Sequence, residues 1–240
     1  EEVVFRVQGY ITRVNLPPIT REEQLTKNPS TAKQSLILTG LGCKEFDNSV
    51  RAVIEIHSKF ASHLPVNSLQ PWKPIVDNEQ LCLEFANRYF TADYLASKYQ
   101  TVSLNSMIDP IGLLTAQTKG DRHTEDNEVL YFEKITNDDG ARYVSCNPIV
   151  FKPGILAEIQ ALLSVVPISK GRFLMLCKLR SVCLISRQTF ESLKTPPKND
   201  RKRLKRKVGY EGPNEEESTD QAMKKLKITA EQSNVMVTDK

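Results

Sequence analysis

The chain has 240 residues, 40% of them apolar and 26% charged, a composition typical of one well-buried domain with an appendage. No run approaches the roughly 20 apolar residues that span a bilayer, and no basic segment followed by an apolar run opens the chain, so we expect neither a membrane span nor a signal peptide. Residues 195–240 hold eleven of the 33 Lys/Arg and eight of the 29 Asp/Glu, which leaves 22 and 21 for residues 1–194. A body so close to neutral would bind nucleic acid only through a local patch.

Strand-like alternation opens the chain over residues 2–14, where Phe5, Val7 and Ile11 share one face. Residues 16–34 are polar and proline-rich, which predicts a long loop. Residues 35–39 and 50–57 are further strand candidates. The apolar residues of 79–100 fit both the alternation of a strand and the spacing of a helix. Thr91 is a candidate N-cap for a short helix through Tyr99.

The clearest pattern covers residues 129–187. Residues 129–135 and 142–151 are strand-like and are joined by Asn137-Asp138-Asp139-Gly140, whose Asp-Gly step favours a tight hairpin. Pro153-Gly154 is expected to open a helix with Ile155, Ile159, Leu162 and Leu163 on one face, and Pro167 to close it. Residues 171–179 and 181–187 are expected to form two more apolar strands.

These elements predict an α+β fold, a predominantly antiparallel β-sheet body with two or three short helices. The body spans residues 1–194, either as one unit or as two subdomains meeting near residues 60–80 or 105–128. Residues 195–240 are expected to be a disordered tail, because they contain too few large apolar groups to offset the entropy of ordering.

We find no pattern typical of catalysis. The chain has no glycine-rich phosphate loop, no Gly-x-Ser-x-Gly elbow and no His-Glu-x-x-His helix. His123 lies in a polar segment and is interpreted as an exposed loop histidine. Five scattered cysteines without a Cys-x-x-Cys pair predict reduced core residues in a reducing, intracellular setting. The sequence therefore indicates a protein that is not an enzyme and has no metal site and no cofactor.

The tail carries the strongest motif. A dense basic cluster and a second, weaker one resemble nuclear import signals, which predicts a nuclear localisation and a nuclear import receptor as partner. A solvating tail or a basic arm that touches phosphates is the alternative. Thr195, which precedes Pro196-Pro197-Lys198, resembles a site for a proline-directed kinase, and a phosphate there would weaken the basic field. The basic residues of the two clusters are Arg201, Lys202, Arg203, Lys205, Arg206, Lys207, Lys224, Lys225 and Lys227.

Several aromatic residues in the body stand next to bases, as in proteins that grip single strands by stacking and by backbone charge. Neighbouring residues of a strand point to opposite faces, so Arg142 and Tyr143 line one groove only if a bulge intervenes. The alternative is that the rings belong to the core and the bases extend outward. The candidate nucleic-acid-binding residues are Lys59, Arg88, Tyr89, Lys98, Tyr99, Arg142, Tyr143 and Lys152.

The layout of a sheet-rich body with a basic import tail is similar in outline to several classes of protein. These are replication and repair accessory factors, single-strand binders with an oligonucleotide-binding fold, and subunits of chromosome-associated assemblies. Layout alone establishes no function. Two hypotheses follow: a non-enzymatic nuclear protein that contacts single-stranded DNA or serves as a DNA replication or repair accessory factor, or a protein-interaction subunit of a nuclear complex without a nucleic-acid surface.

Overall fold

The computed structural model describes residues 3–26, 28, 31–118, 120–137 and 140–187; the tail, with Thr195 and both basic clusters, lies outside these residues. The described part is an α+β body whose sheet is predominantly antiparallel, as predicted. None of its helices is both long and apolar enough to span a bilayer. Its strands are β1 (Phe5–Asn15), β2 (Lys33–Thr39), β3 (Ile75–Asp77), β4 (Gln80–Arg88), β5 (Leu130–Asn137), β6 (Gly140–Ser145), β7 (Leu156–Ile168) and β8 (Arg172–Ser186), and its helices are α1 (Lys44–Ser62), α2 (Asp93–Ala96) and α3 (Leu113–Ala116).

Five of the strands close into a barrel in the order β4-β2-β1-β7-β8, and a parallel bridge between Ala86 of β4 and Lys178 of β8 completes the circle. Such five-stranded barrels are the core of oligonucleotide-binding folds. The β5–β6 hairpin extends the sheet outward from β8, to which β5 is parallel, and β3 adds to the free side of β4. The barrel core is largely apolar, with Ile11, Leu38, Phe85, Ile159, Leu179 and Leu184 each 2% exposed or less. It also holds two buried amides, those of Gln34 and Asn87.

Residues 50–57 were predicted to form a strand, and this is wrong because they lie within α1. Phe46, Val50 and Val53 are buried at spacings of four and three residues, which places them on one helix face against the barrel. The approach is close: a Cβ added to Gly40 would lie 2.3 Å from Cβ of Phe46, so only glycine fits there.

The predicted helix from residue 155 to Pro167 is also wrong, since β7 is a strand paired with β1 on one side and β8 on the other. Ala157, Ile159, Ala161 and Leu163 alternate into the core. The apolar run fits both helical and strand spacing, and pairing on both sides decides for the strand. Residues 171–179 and 181–187 are likewise not two strands but lie largely within the single strand β8, with register shifts in its pairing to β7.

Two other boundaries differ from the sequence prediction. The β5–β6 hairpin is confirmed, but β6 ends at Ser145 and a 3₁₀ turn at Pro148–Val150 follows. The helix predicted from Thr91 to Tyr99 shrinks to α2, with Ala92 at its N-cap. Thr91 Oγ1 instead donates to Oδ1 of Asn127 at 3.0 Å, so its hydroxyl is used in a tertiary contact.

The long insertion between β4 and β5, residues 89–129, has an apolar cluster of its own. The insertion packs against the loop that joins β1 and β2, the segment for which a long loop over residues 16–34 was predicted. The buried members of this second cluster are Ile19, Ala32, Tyr89, Phe90, Ile108 and Leu114.

Candidate nucleic-acid interface

A groove of about 840 Å³ on the described surface is lined by three aromatic side chains. They are Tyr99 from the insertion, Phe132 from β5 and Tyr143 from β6. Tyr99 is 41% exposed and Tyr143 is 59% exposed, so both rings offer accessible area to a ligand. We call this concavity the aromatic groove. Exposed rings in a concave site suit a ligand with flat aromatic groups.

The floor of the aromatic groove is the outer face of β1, β7, β8, β5 and β6. Residues directly opposite in paired strands leave a sheet on the same face, so the register defines rows of side chains across the floor. One row consists of Gln8, Glu158, Cys183, Phe132 and Ser145, and the next consists of Arg6, Gln160, Ser181 and Leu130. The floor is therefore polar over β1 and β7 and apolar over β5.

Tyr99 forms part of a wall that the insertion builds beside this floor. Its neighbour Gln100 exchanges two hydrogen bonds with Glu125: the backbone N–H of Glu125 donates to the Gln100 carbonyl at 3.0 Å, and the Gln100 N–H donates to Oε1 of Glu125 at 3.3 Å. Two residues later, Val102 N–H donates to the His123 carbonyl at 3.0 Å. The segment that carries Tyr99 is thereby held against the 3₁₀ turn Glu125–Asn127.

Asp126 of that 3₁₀ turn forms hydrogen bonds with side chains of the barrel. The Asp126 carboxylate accepts a hydrogen bond from Nζ of Lys178 and, at 3.1 Å, one from Nη2 of Arg180. Its backbone carbonyl accepts from Nδ2 of Asn87 at 3.0 Å and from Nη1 of Arg180 at 2.9 Å. The Asp126 side chain is only 17% exposed, so these charges meet largely away from water. Asp126 thus ties the wall to two barrel strands.

The charge of the aromatic groove is mixed. Its lining includes two cations, Arg6 and Arg180, and four carboxylates, of which Asp126 is paired with Arg180. A further cation, Lys134, lies directly opposite Tyr143 in the β5–β6 hairpin and so leaves the sheet on the groove side. The other three carboxylates that line the groove are Glu125, Glu128 and Glu158.

The floor also holds a thiol. Burial raises the pKa of Cys183, the Glu158 carboxylate adds to the rise, and the Lys134 ammonium opposes it. Both charged groups therefore act on the centre of the floor. A thiol with a raised pKa stays protonated at neutral pH, which makes it a poor nucleophile.

The structure brings two of the eight predicted nucleic-acid residues, Tyr99 and Tyr143, into one groove. Lys98 is exposed beside Tyr99 but does not line the groove. Arg142 leaves the other face of β6, because the hairpin register runs without a bulge through this position.

The other four candidates lie elsewhere. Tyr89 is 3% exposed within the second apolar cluster, so its ring has no open face for a base. Arg88 stands at the end of β4, opposite Lys33 of β2, on an exposed part of the barrel. Lys59 is exposed on α1, and Lys152 is exposed between β6 and β7. His123, which we expected to be exposed, is 6% exposed and its Nδ1 lies 2.7 Å from the Tyr89 carbonyl oxygen.

Sequence analysis missed Arg6, Phe132 and Lys134. Phe132 and Lys134 are two residues apart on β5, a spacing that places both on one face of any strand. That spacing was available in the sequence, whereas the approach of Arg6 to the groove depends on the pairing of β1 with β7.

No protein-family model and no curated protein matches the chain. Among solved structures, the chain is similar to gp2.5, a single-stranded DNA-binding protein encoded by bacteriophage T7. The identity is 13%, the similarity covers 76% of this chain and 91% of that chain, and the TM-score is 0.40. At this level of similarity no residue role is transferred to the present chain.

Proposed function

We propose that the protein binds single-stranded nucleic acid, with single-stranded DNA as the principal ligand, in the aromatic groove. The observation that carries the proposal is the convergence of Tyr99, Phe132 and Tyr143 on one concave surface. Successive bases of a single strand stack on such rings, each at a gain of about 1–3 kcal/mol. A duplex keeps its bases paired and stacked, so it offers the groove only phosphates.

The mixed charge of the groove supports a binding mode that depends more on stacking than on phosphate neutralisation. Of the groove cations, Arg180 is already paired with Asp126, which leaves Arg6 and the adjacent Lys134 to face the ligand backbone. Two phosphate contacts correspond to a slope of roughly −1.4 in a plot of log affinity against log salt for a single strand. The body should therefore bind with weak salt dependence.

The proposal includes a non-enzymatic role as a DNA replication or repair accessory factor. Two features of the described residues support the non-enzymatic part of this proposal. His123 is buried with one ring nitrogen engaged by a backbone carbonyl, and burial raises the pKa of the Cys146 thiol to about 11 and that of Cys177 to about 12. These groups are poorly placed to act as a general base or a nucleophile.

We also propose a nuclear location, with an import receptor reading the basic residues 201–207. A fluorescent reporter fused to residues 195–240 should accumulate in nuclei. The same fusion with the six Lys/Arg of 201–207 replaced by Gln should not. A reporter that stays in the cytoplasm would contradict the import role without affecting the groove.

Fluorescence anisotropy with labelled single-stranded and double-stranded oligonucleotides tests the binding proposal. The full chain and a full-length variant with Gln at the six basic positions of 201–207 should be compared, because the tail alone attracts phosphates. We expect both proteins to prefer the single strand at about 0.15 M salt. If binding is lost when the tail is substituted, the affinity comes from nonspecific attraction between the tail and phosphates. That result would contradict the proposal that the aromatic groove binds the oligonucleotide.

A second candidate function is a protein-interaction subunit of a nuclear complex. The observation that favours it is strand β6, which among the described strands pairs only with β5 and whose six residues are all exposed, including Val144 at 42%. An unprotected edge of this kind can accept a strand from another protein. A co-purifying protein partner together with no oligonucleotide binding would favour this function over the first.

A further inference from the structure

Glu158 occupies the middle of the groove floor. It lies between Gln8 on β1 and Cys183 on β8 in one row of side chains, and its carboxylate lines the groove. Its Oε2 accepts a hydrogen bond from Nε2 of Gln8 at 2.8 Å. Among the described residues, no ion pair to Glu158 is formed. Its negative charge and remaining lone pairs therefore face the ligand.

This charge determines how a single strand can lie. Phosphates are repelled from a floor that presents Glu158, with Glu128 also in the lining, and they are drawn toward Arg6 and Lys134. The bases then point inward, where Tyr99 and Tyr143 accept their faces and Glu158 meets their edges. An anionic floor would be a defect for phosphate binding, but it suits the recognition of bases that donate hydrogen bonds.

Bases differ in what they offer to a carboxylate. Cytosine presents the N4 amino group, a donor that Glu and Asp accept well, whereas thymine presents O4, an acceptor, at the same position. Cytosine and thymine have rings of the same size that stack comparably. The difference in affinity between them is therefore set by the hydrogen-bonding groups at the edge of the base. We propose that the aromatic groove selects cytosine over thymine in single-stranded DNA, with Glu158 as the residue that reads the amino group; this inference rests on the proposed function of the groove.

Comparing the affinities for oligo(dC) and oligo(dT) tests the selection. Labelled homopolymers of about 15 nucleotides, a length within the range that one such fold covers, are titrated with the full-length variant that carries Gln at the six basic positions of 201–207, so that the tail does not contribute its own phosphate binding. The titrations are made at pH 8, where cytosine is unprotonated. One added charge-assisted hydrogen bond should make dC bind about tenfold more tightly than dT. Equal affinity, or tighter binding of dT, would overturn the selection while leaving the groove as the binding site. Failure to bind either oligonucleotide would overturn the proposed function itself, and with it the selection.

The Glu158→Gln variant tests whether Glu158 is the residue that recognises the cytosine amino group. The amide removes the charge and adds a donor that can bind thymine O4, so the dC:dT affinity ratio should fall toward one or reverse. The matched control is Glu133→Gln on β5, which removes the same charge from the opposite face, where Glu133 Oε1 pairs with Nη2 of Arg187 at 3.0 Å. It should keep the tenfold ratio. Because a ratio is insensitive to the fraction of folded protein, a Glu158→Gln protein with unchanged preference would refute the role of this residue.

Discussion

Tyr143 of β6 lies directly opposite Lys134 of β5, so the ring and the ammonium leave the hairpin on the same face, while Arg142 leaves on the other. An aromatic ring and a cation are thus combined across two strands and not between neighbours in the sequence. This pairing places a phosphate-binding group beside a stacking surface.

Lys134→Ala should weaken binding of a single-stranded oligonucleotide, whereas Arg142→Ala should leave it nearly unchanged. Loss of one phosphate contact should lower the slope of log affinity against log salt by about 0.7 for a single strand. Anisotropy titrations at three or four salt concentrations measure both slopes. If Arg142→Ala flattened the slope and Lys134→Ala did not, the ligand would lie on the opposite face of the hairpin.

Tyr99→Ala should reduce affinity for the single strand by about 1–3 kcal/mol, the contribution of one stacked base, and Tyr99→Phe should retain it. Tyr94 provides a matched control, since it lies in nearby α2, is 80% exposed and does not line the groove. Tyr94→Ala should therefore bind like the wild type. Equal losses from the two alanine variants would mean that the groove is not the specific contact.

Stability should fall at alkaline pH because thiols that are partly shielded from water are held protonated in the folded chain. Burial, with Glu84 contributing, raises the pKa of Cys177 to about 12, while an unfolded cysteine ionises near 8.5. Between these values the unfolded state has lost a proton that the folded state retains, so the free energy of unfolding declines as pH rises. Each such group contributes up to about 1.4 kcal/mol per pH unit.

Urea unfolding of the reduced protein at intervals from pH 7 to about 10.5 measures this decline. Cys177→Ala removes the titrating group and should give a shallower decline above pH 9, even if it lowers stability at pH 7. Identical pH profiles for the wild type and the variant would exclude Cys177 as a source of the effect.

The elements that could be predicted from sequence are those whose apolar residues repeat with one clear spacing and whose strands pair with a neighbour in the sequence. The β5–β6 hairpin was predicted from its alternation and its Asp-Gly turn. The stretch now known as β7 was misread because Ile155, Ile159 and Leu163 repeat at four residues, which satisfies a helix and a strand alike. The segment is a strand because it pairs with β1 and with β8. The residues that pair between β1 and β7 are more than a hundred positions apart, so local sequence does not reveal this contact.

The candidate site shows the same limit. Tyr99 and Tyr143 were singled out individually, but nothing in their local sequence indicated that they share a groove. Their cationic partners were assigned to sequence neighbours, Lys98 and Arg142, whereas the fold supplies Arg6 and Lys134 from other strands. Adjacent residues in a strand diverge, so a site built on a sheet is assembled from cross-strand neighbours that local reading does not reveal.

Asp126 should couple stability to binding, because it fastens the Tyr99 wall to β8. Asp126→Asn would remove the carboxylate charge that pairs with Lys178 and Arg180, in surroundings where their side chains are 17% and 20% exposed. We expect a loss of about 2–4 kcal/mol in the free energy of unfolding. The matched control is Asp77→Asn, whose ion pair with Arg13 at 3.2 Å is exposed, with the Arg13 side chain at 66%, and should cost less than about 1 kcal/mol.

The effect on binding is measured at temperatures where the Asp126→Asn protein remains folded and at high salt, because Asp126 also pairs with Arg180 in the groove lining and high salt weakens any phosphate contact of Arg180. Under these conditions the affinity of Asp126→Asn for a single strand should fall about as far as that of Tyr99→Ala. The double variant should then show little further loss, since both changes remove the same stacking contact. Fully additive losses would mean that Asp126 does not act through the position of Tyr99.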